Sequence, residues 1–468
     1  MLRSSVYARV LMLMQVVGIM AEMQLMPHQV KVLDDTEDFN RVAYYLDMGL
    51  GKTFVGSEKL WELNNLVNIV ICQKSKIIDW VEHFRTYYPQ AKTCDLTKKS
   101  ESITFNNLID SGSLTTNDML IGIINYDLIF RRSIYLKYSN ITLMLDESSL
   151  ISNETTARAK YILKMHPESV ILLSGTPTAG KYEKLWSQCK LLGWGISKAA
   201  FWESYVDSEW VDDGAFRRQV ILGYKNVDHL KKKLREYGAV FMKTEEVIQL
   251  PDKIEQKVFV PITKEYKRFM ANSYIVLDTQ NLKEFKDDSD FYGKDVTPRV
   301  EMVGDNQLTK ILYARQLCGQ YHKGKMEAFK DLIESSEERW IVFYNFNEEL
   351  VRLKKIVEDM KRPVSEVNGH KKDLQAYNQE SNSVTFIQYQ AGAMGGNYQK
   401  SCRICYYTLP LGKGSCDMWE QSKKRVHRIG QTRTCFYYYL LVKGSFEERN
   451  LRQLKLGKDL TDDLFERG

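Results

Sequence analysis

Four short apolar runs, VNIVIC (67–72), MLIGII (119–124), ITLML (141–145) and SVILL (169–173), recur between stretches long enough for helices. They are rich in β-branched and aliphatic residues with scarcely any polar alternation, the pattern of strands buried on both faces. Such a rhythm predicts βαβ units and a parallel sheet, with active groups gathering at the carboxyl ends of the strands. The rhythm returns in RWIVFYNF (339–346), VTFIQYQ (384–390), RICYYT (403–408) and CFYYYLLV (435–442). A chain of 468 residues exceeds what one core usually holds, so two α/β units are expected. The halves share pattern only, with no sequence repeat.

A phosphate signal precedes the first of these runs. YYLDMGLGKTF (44–54) places Gly49, Gly51, Lys52 and Thr53 at the end of an apolar stretch. In a P-loop, glycines let backbone N–H groups surround phosphate oxygens, the lysine reaches the β- and γ-phosphates, and the hydroxyl holds Mg²⁺. The strict pattern asks for glycine where this chain has Leu46.

MLDESSLISN (144–153) then ends an apolar run with two adjacent carboxylates, which are costly to bury unless a charge meets them. At the end of a strand across from the P-loop strand, Asp146 can orient Mg²⁺ and Glu147 can polarise the attacking water. The other reading is an acidic N-cap in which Ser148 or Ser149 opens a helix. A P-loop roughly a hundred residues upstream favours the metal reading.

A net charge of +6 permits a nucleic-acid partner without requiring one. Eight scattered cysteines fit a reducing compartment, and Cys402 and Cys405 read as cysteines of a buried strand rather than structural zinc ligands. The opening segment carries Arg3 and an apolar stretch from Val10 to Ala21, interrupted by Gln15 and Gly18 and too short to span a bilayer. We read residues 1–23 as a helix packed on the first unit, or as sequence upstream of a start at Met23 or Met26.

Over residues 24–460 the motifs resemble, in order, those of helicase superfamily 2 ATPases of the Swi/Snf type. MPHQ resembles the motif whose glutamine, Gln29, reads adenine. LDMGLGKT resembles the family's P-loop, which implies nucleotide contacts for Asp47, Met48, Gly49, Leu50, Gly51, Lys52 and Thr53 and accounts for the missing first glycine. VICQKSKIIDWVEHF and GIINYDLIF resemble segments that place Lys74, Ser75 and Asn125 toward nucleic acid. LDESSLISN is similar to the DEAH-type box, with Ser149 where the family has histidine. LLSGTPTAGKYEKLW resembles the motif coupling hydrolysis to movement, with Ser174, Gly175 and Thr176 at the matching positions.

In the second half, IQYQAGAMGGNYQ is similar to a glycine-rich motif with Gly392, Gly395 and Asn397 near the nucleotide, although Gln388 and Ala393 depart from the commoner residues. QSKKRVHRIGQTRT contains HRIGQ, close to a signature of the group. Within it, Gln421 would face nucleotide, and Arg425 and Arg428, three apart and on one side if helical, would stabilise charge on a γ-phosphate.

The resemblance implies two tandem RecA-like lobes with an ATP cleft between them, Mg²⁺ held by Thr53 and Asp146, and catalysis by Lys52, Asp146, Glu147, Arg425 and Arg428. It implies an ATP-dependent motor on double-stranded DNA in a bacterial or phage-infected cytoplasm. Two rivals are a strand-separating or annealing helicase and a nucleotide-dependent clamp on DNA or protein with little turnover. A protein partner is left open, and no membrane is expected. The implied boundaries are lobe 1 at 24–250 with an extension at 190–245, a hinge at 251–264, lobe 2 at 265–443 with an exposed insertion at 281–306, and a C-terminal helix at 444–468 folding back on the lobes. The Lys231, Lys232, Lys233 and Arg235 cluster reads equally as a solvated helix face.

Overall fold

The computed structural model describes residues 24–457, apart from 116–117, 133–134, 136, 179–180, 213–216, 248, 279–298, 390–395 and 413. The chain divides into two compact units, Met1–Gln249 and Leu250–Gly468. Gly392, Gly395, Ala393 and the 1–23 extension lie outside the described residues.

In the first unit, β1 (Arg41–Leu46), β2 (Val67–Cys72), β3 (Lys92–Asp95), β4 (Leu120–Asn125), β5 (Ile141–Asp146), β6 (Ser169–Leu173) and β9 (Ala239–Met242) form one sheet. The order is β3, β4, β2, β5, β6, β1, β9, and all neighbours are parallel. β2, β4 and β6 are buried at every position, as unbroken apolar runs require when both faces are covered. The strand ending in Asp146 is not beside the P-loop strand: β6 lies between β5 and β1. The stretch read as an extension holds β7 (Val206–Asp212) and β8 (Arg217–Tyr224), an antiparallel pair separate from the main sheet.

The second unit has β10 (Lys253–Val260), β13 (Trp340–Tyr344), β14 (Val364–Val367), β15 (Lys372–Asp373), β16 (Val384–Gln388), β17 (Arg403–Tyr406) and β18 (Cys435–Val442), in the order β10, β18, β17, β13, β16, β14, β15. Within this sheet, among the described residues, only β14 and β15 pair antiparallel. The aromatic richness of these strands builds a ladder: Phe343, Tyr406 and Tyr439 stack across β13, β17 and β18 with ring centroids 5.4 and 5.0 Å apart. Cys405 lies on β17 and Cys402 just before it, and the two are buried in different core clusters.

Two stretches given a role from the sequence hold regular structure. The stretch 251–264, read as a hinge, contains β10, whose eight residues pair with all of β18. The insertion read at 281–306 ends in regular structure: β12 (Arg299–Val303) pairs antiparallel with β11 (Tyr274–Asp278), burying Ile275, Leu277 and Met302 in a small core. A helix at Phe446–Lys455 packs on the second unit through a buried ion pair, Lys325 Nζ to Glu447 Oε1 at 2.6 Å.

Candidate nucleotide site

β1 delivers the chain into a loop that the sequence makes tight. Gly49 and Gly51 have φ of 97° and 76°, where a side chain is strained. Gly51 caps the helix Lys52–Leu63, and a Cβ there would stand 1.9 Å from Gln29 Nε2. Gln29 and His28, on the helix Pro27–Asp34, both bond the Leu50 carbonyl at 3.1 Å. The Lys52 ammonium donates to the carbonyls of Leu46 and Asp47 at 2.9 and 3.2 Å. Asp47 accepts from the Thr244 backbone N–H at 3.2 Å, tying the loop to the turn after β9.

Behind the loop lies a charge that sequence reading did not single out. Lys59 is fully buried, and its ammonium donates to the Thr36 and Glu37 carbonyls and to Glu62 at 2.7, 3.3 and 2.7 Å. Burying it is tolerable because every bond is met. The bonds hold the helix bearing Gln29 against the helix bearing Lys52 and Thr53.

The acidic pair ends β5. Trp80 Nε1 donates to Asp146 Oδ2 at 2.9 Å, and the Tyr126 hydroxyl donates to the Asp146 carbonyl at 2.9 Å. Burial raises the Asp146 carboxyl above its ordinary range, while the Trp80 bond and the Lys52 charge pull it down. Glu147 adopts a left-handed conformation, φ 58°, which is uncommon for a residue with a side chain and concentrates at functional sites. Neither acid caps an α-helix; a short 3₁₀ turn, Ser148–Ile151, follows.

The turn after β6 lies against the P-loop. A Cβ on Gly175 would stand 3.1 Å from Met48 Cγ and 3.2 Å from Lys52 Nζ, so glycine is what allows the approach. The Ser174 Oγ accepts from Thr176 N at 3.2 Å. The Thr176 hydroxyl is buried and makes no hydrogen bond among the described residues. The first unit thus gathers Gln29, residues 47–53, the acidic pair and residues 174–176 at the carboxyl edge of one sheet. A Mg–nucleotide fits this donor set: an ammonium, a helix N-terminus, a carboxylate and an unspent hydroxyl.

In the second unit, the helix Ser415–Lys423 ends before either arginine, so Arg425 and Arg428 lie in turns rather than on a helical face. Arg425 is buried, and its Nη1 donates to the Gly396 carbonyl at 3.4 Å while its own carbonyl accepts from Tyr398 N. Arg428 Nη1 donates to Asn397 Oδ1, and burial lowers its guanidinium. Gln421 is buried on the helix. The organiser is Gln431, whose amide donates to the carbonyls of Gln399 and Ser401 at 3.1 and 2.8 Å. Gln388 donates to the Asn345 carbonyl at 3.0 Å.

Lys74 and Ser75 stand exposed in a 3₁₀ turn at the carboxyl end of β2. Asn125, grouped with them from the sequence, is buried at the end of β4 and presents little to a surface.

Two parallel-sheet units, one with a P-loop and an acidic pair at a strand end and the other with an arginine-bearing loop, define a P-loop α/β protein of the two-unit type. The SNF2-related domain model matches residues 24–321, more than half of the chain, and the chain belongs to this family. It is similar to the SWI/SNF-related matrix-associated actin-dependent regulator of chromatin subfamily A-like protein 1 of Xenopus tropicalis, with 24% identity over 86% of this chain and 41% of that protein. It is also similar to an uncharacterized ATP-dependent helicase of Mycoplasma genitalium, with 23% identity over 89% of this chain and 40% of that one. The chain therefore spans about two fifths of the length of these relatives. The SWI2/SNF2 ATPase core of Sulfolobus solfataricus in complex with dsDNA aligns with 94% of this chain and 93% of that one, at 21% identity and a TM-score of 0.43. No helix among the described residues is long and apolar enough to cross a membrane.

Proposed function

We propose that the chain is a DNA-dependent ATPase that moves on double-stranded DNA. The observation that carries this reading is the approach of Gly175 to Lys52 beside a strand that ends in Asp146 with Glu147 after it, which supports phosphate, metal and water chemistry at one sheet edge. Membership of the SNF2-related family and the name of the Mycoplasma relative support ATP as the nucleotide.

Bound ATP with Mg²⁺ supplies the γ-phosphoryl group and the cation that neutralises its developing charge. The Lys52 ammonium exchanges the Leu46 and Asp47 carbonyls for phosphate oxygens. The backbone of Met48, Gly49, Leu50 and Gly51 surrounds phosphate, and Gln29 orients the base. Thr53 and Asp146 would hold the metal, with Trp80 fixing the direction of the carboxylate. Glu147 orients the attacking water and takes its proton. Arg425 and Arg428 would supply positive charge to the γ-phosphate, a contribution of about 10³ to 10⁵ in rate for such arginines elsewhere. Asn397 holds Arg428 ready for that role, and Gln421 borders the same loop. Ser174, Gly175 and Thr176 transmit the state of the phosphate. Lys74 and Ser75 meet DNA phosphates, so binding falls steeply with salt and depends little on sequence. The cytoplasm is the compartment this chemistry fits.

Displacement of a third strand from a triplex on duplex DNA tests the movement. Wild-type protein with ATP should release the third strand and Glu147→Gln should not. Phosphate release with no displacement would replace the motor by a clamp that hydrolyses ATP in place.

A further inference from the structure

Gln188 lies on the helix Trp186–Leu191, outside every motif named above, yet its side chain joins three of them. It is completely buried. Its Oε1 accepts from the Ser148 hydroxyl at 2.8 Å and from the Tyr45 hydroxyl at 3.0 Å. Its Nε2 donates to the Pro177 carbonyl at 3.1 Å. Ser148 follows Glu147, Pro177 follows Thr176, and Tyr45 lies on β1 two residues before Asp47. One amide therefore touches the acidic turn, the turn that approaches Lys52, and the strand that feeds the P-loop.

An ordinary core position would take an apolar side chain here. Three polar groups buried together are costly unless each finds its partner, and this amide has a donor and an acceptor that meet all three. No other common side chain of this length both accepts two hydroxyl protons and donates to a carbonyl without carrying charge. The turns it joins rise from β5 and β6, which pair in fixed register, so a bond across their ends fixes what the ladder leaves open: the direction of Glu147 and of Thr176 beyond the strands.

The geometry points to Gln188 as a positioning residue: it locks the turn bearing Glu147 and the turn bearing Thr176 into one arrangement against the P-loop strand. This rests on the ATPase reading above for its kinetic consequence, though not for the mechanical link itself.

Three variants test it: Gln188→Met, which keeps length and loses every bond, Ser148→Ala, which removes one bond, and the double variant. With saturating ATP and DNA, Gln188→Met should lower kcat by about tenfold with KM for ATP within about twofold, since the lost interaction orients the transition state rather than the bound substrate. Ser148→Ala should lower kcat less, and the double variant should be no slower than Gln188→Met. Backbone amide exchange at 147–150 and at 175, 176 and 178 should quicken in Gln188→Met in both turns together. Unchanged kcat in Gln188→Met, with only a lower Tm, would overturn the proposal and leave a packing role. If wild-type turnover does not exceed that of Glu147→Gln, the ATPase reading fails, and amide exchange alone decides the link: equal exchange in wild type and Gln188→Met would overturn it.

Discussion

The indole Nε1 of Trp80 donates to Oδ2 of Asp146 at 2.9 Å. The donor sits on the helix Ile77–Tyr87 and the acceptor at the end of β5, so a neighbouring element fixes the orientation of the carboxylate. Groups that hold a ligand carboxylate in this way commonly tune metal affinity by 10- to 100-fold.

Trp80→Phe keeps the ring and removes the donor. Its half-saturating Mg²⁺ concentration for ATP hydrolysis should rise by about tenfold. A magnesium titration checks this, and an unchanged midpoint would mean that the bond only packs the helix.

Gly175→Ala introduces a methyl about 3 Å from Met48 Cγ and Lys52 Nζ. KM for ATP should rise by about tenfold, with Tm falling by only a few degrees, because the crowding falls on the lysine rather than on the core. Equal KM in wild type and variant would show that Lys52 moves away at no cost.

His83 donates from Nε2 to Ser57 Oγ at 2.9 Å, since the Ser57 proton goes to the Thr53 carbonyl. Burial lowers the imidazole to about 4 from 6.5. As pH falls the unfolded chain takes up the proton first, so this stability is full above 6.5 and is lost progressively toward pH 4. The loss by pH 4.5 should reach about 2 to 3 kcal/mol at 1.36 kcal/mol per unit. Denaturant unfolding at pH 7 and 4.5 measures it, and His83→Gln should flatten the difference. The same pH dependence in both proteins would assign the loss to other groups.

Lys325 and Glu447 are buried together, at 0% and 3% side-chain exposure. Lys325→Met strands a carboxylate and should cost about 3 to 5 kcal/mol in chemical denaturation, whereas Lys325→Met with Glu447→Gln should recover a good part of it. No recovery in the double variant would show that the pair contributes through shape alone.

The strands that could be read from sequence are those whose burial forbids polar alternation, such as β2 and β6, and the loop whose glycines the backbone demands. β10 could not. Six of its eight positions are exposed, so KIEQKVFV reads as a charged connector and is held by its ladder with β18. β9 is four residues long and acquires its place by lying beside β1. Within the site, Lys52, Asp146 and Glu147 announce themselves because each sits in a short contiguous motif. Trp80 and Gln188 do not, because their partners stand 66 and 40 residues away and nothing near either residue marks the bond. The arginine loop was legible in composition but not in shape, since its helix ends at Lys423.

The central claim is that ATP turnover at the Lys52 and Asp146 edge is driven by DNA. Phosphate release at low salt, with no nucleic acid, single-stranded DNA, duplex DNA and RNA in parallel and Glu147→Gln as the blank, tests it most directly. Strong stimulation by duplex that disappears in the blank is the expected result. Turnover equal to the blank under every condition, with ATP still bound, would contradict it.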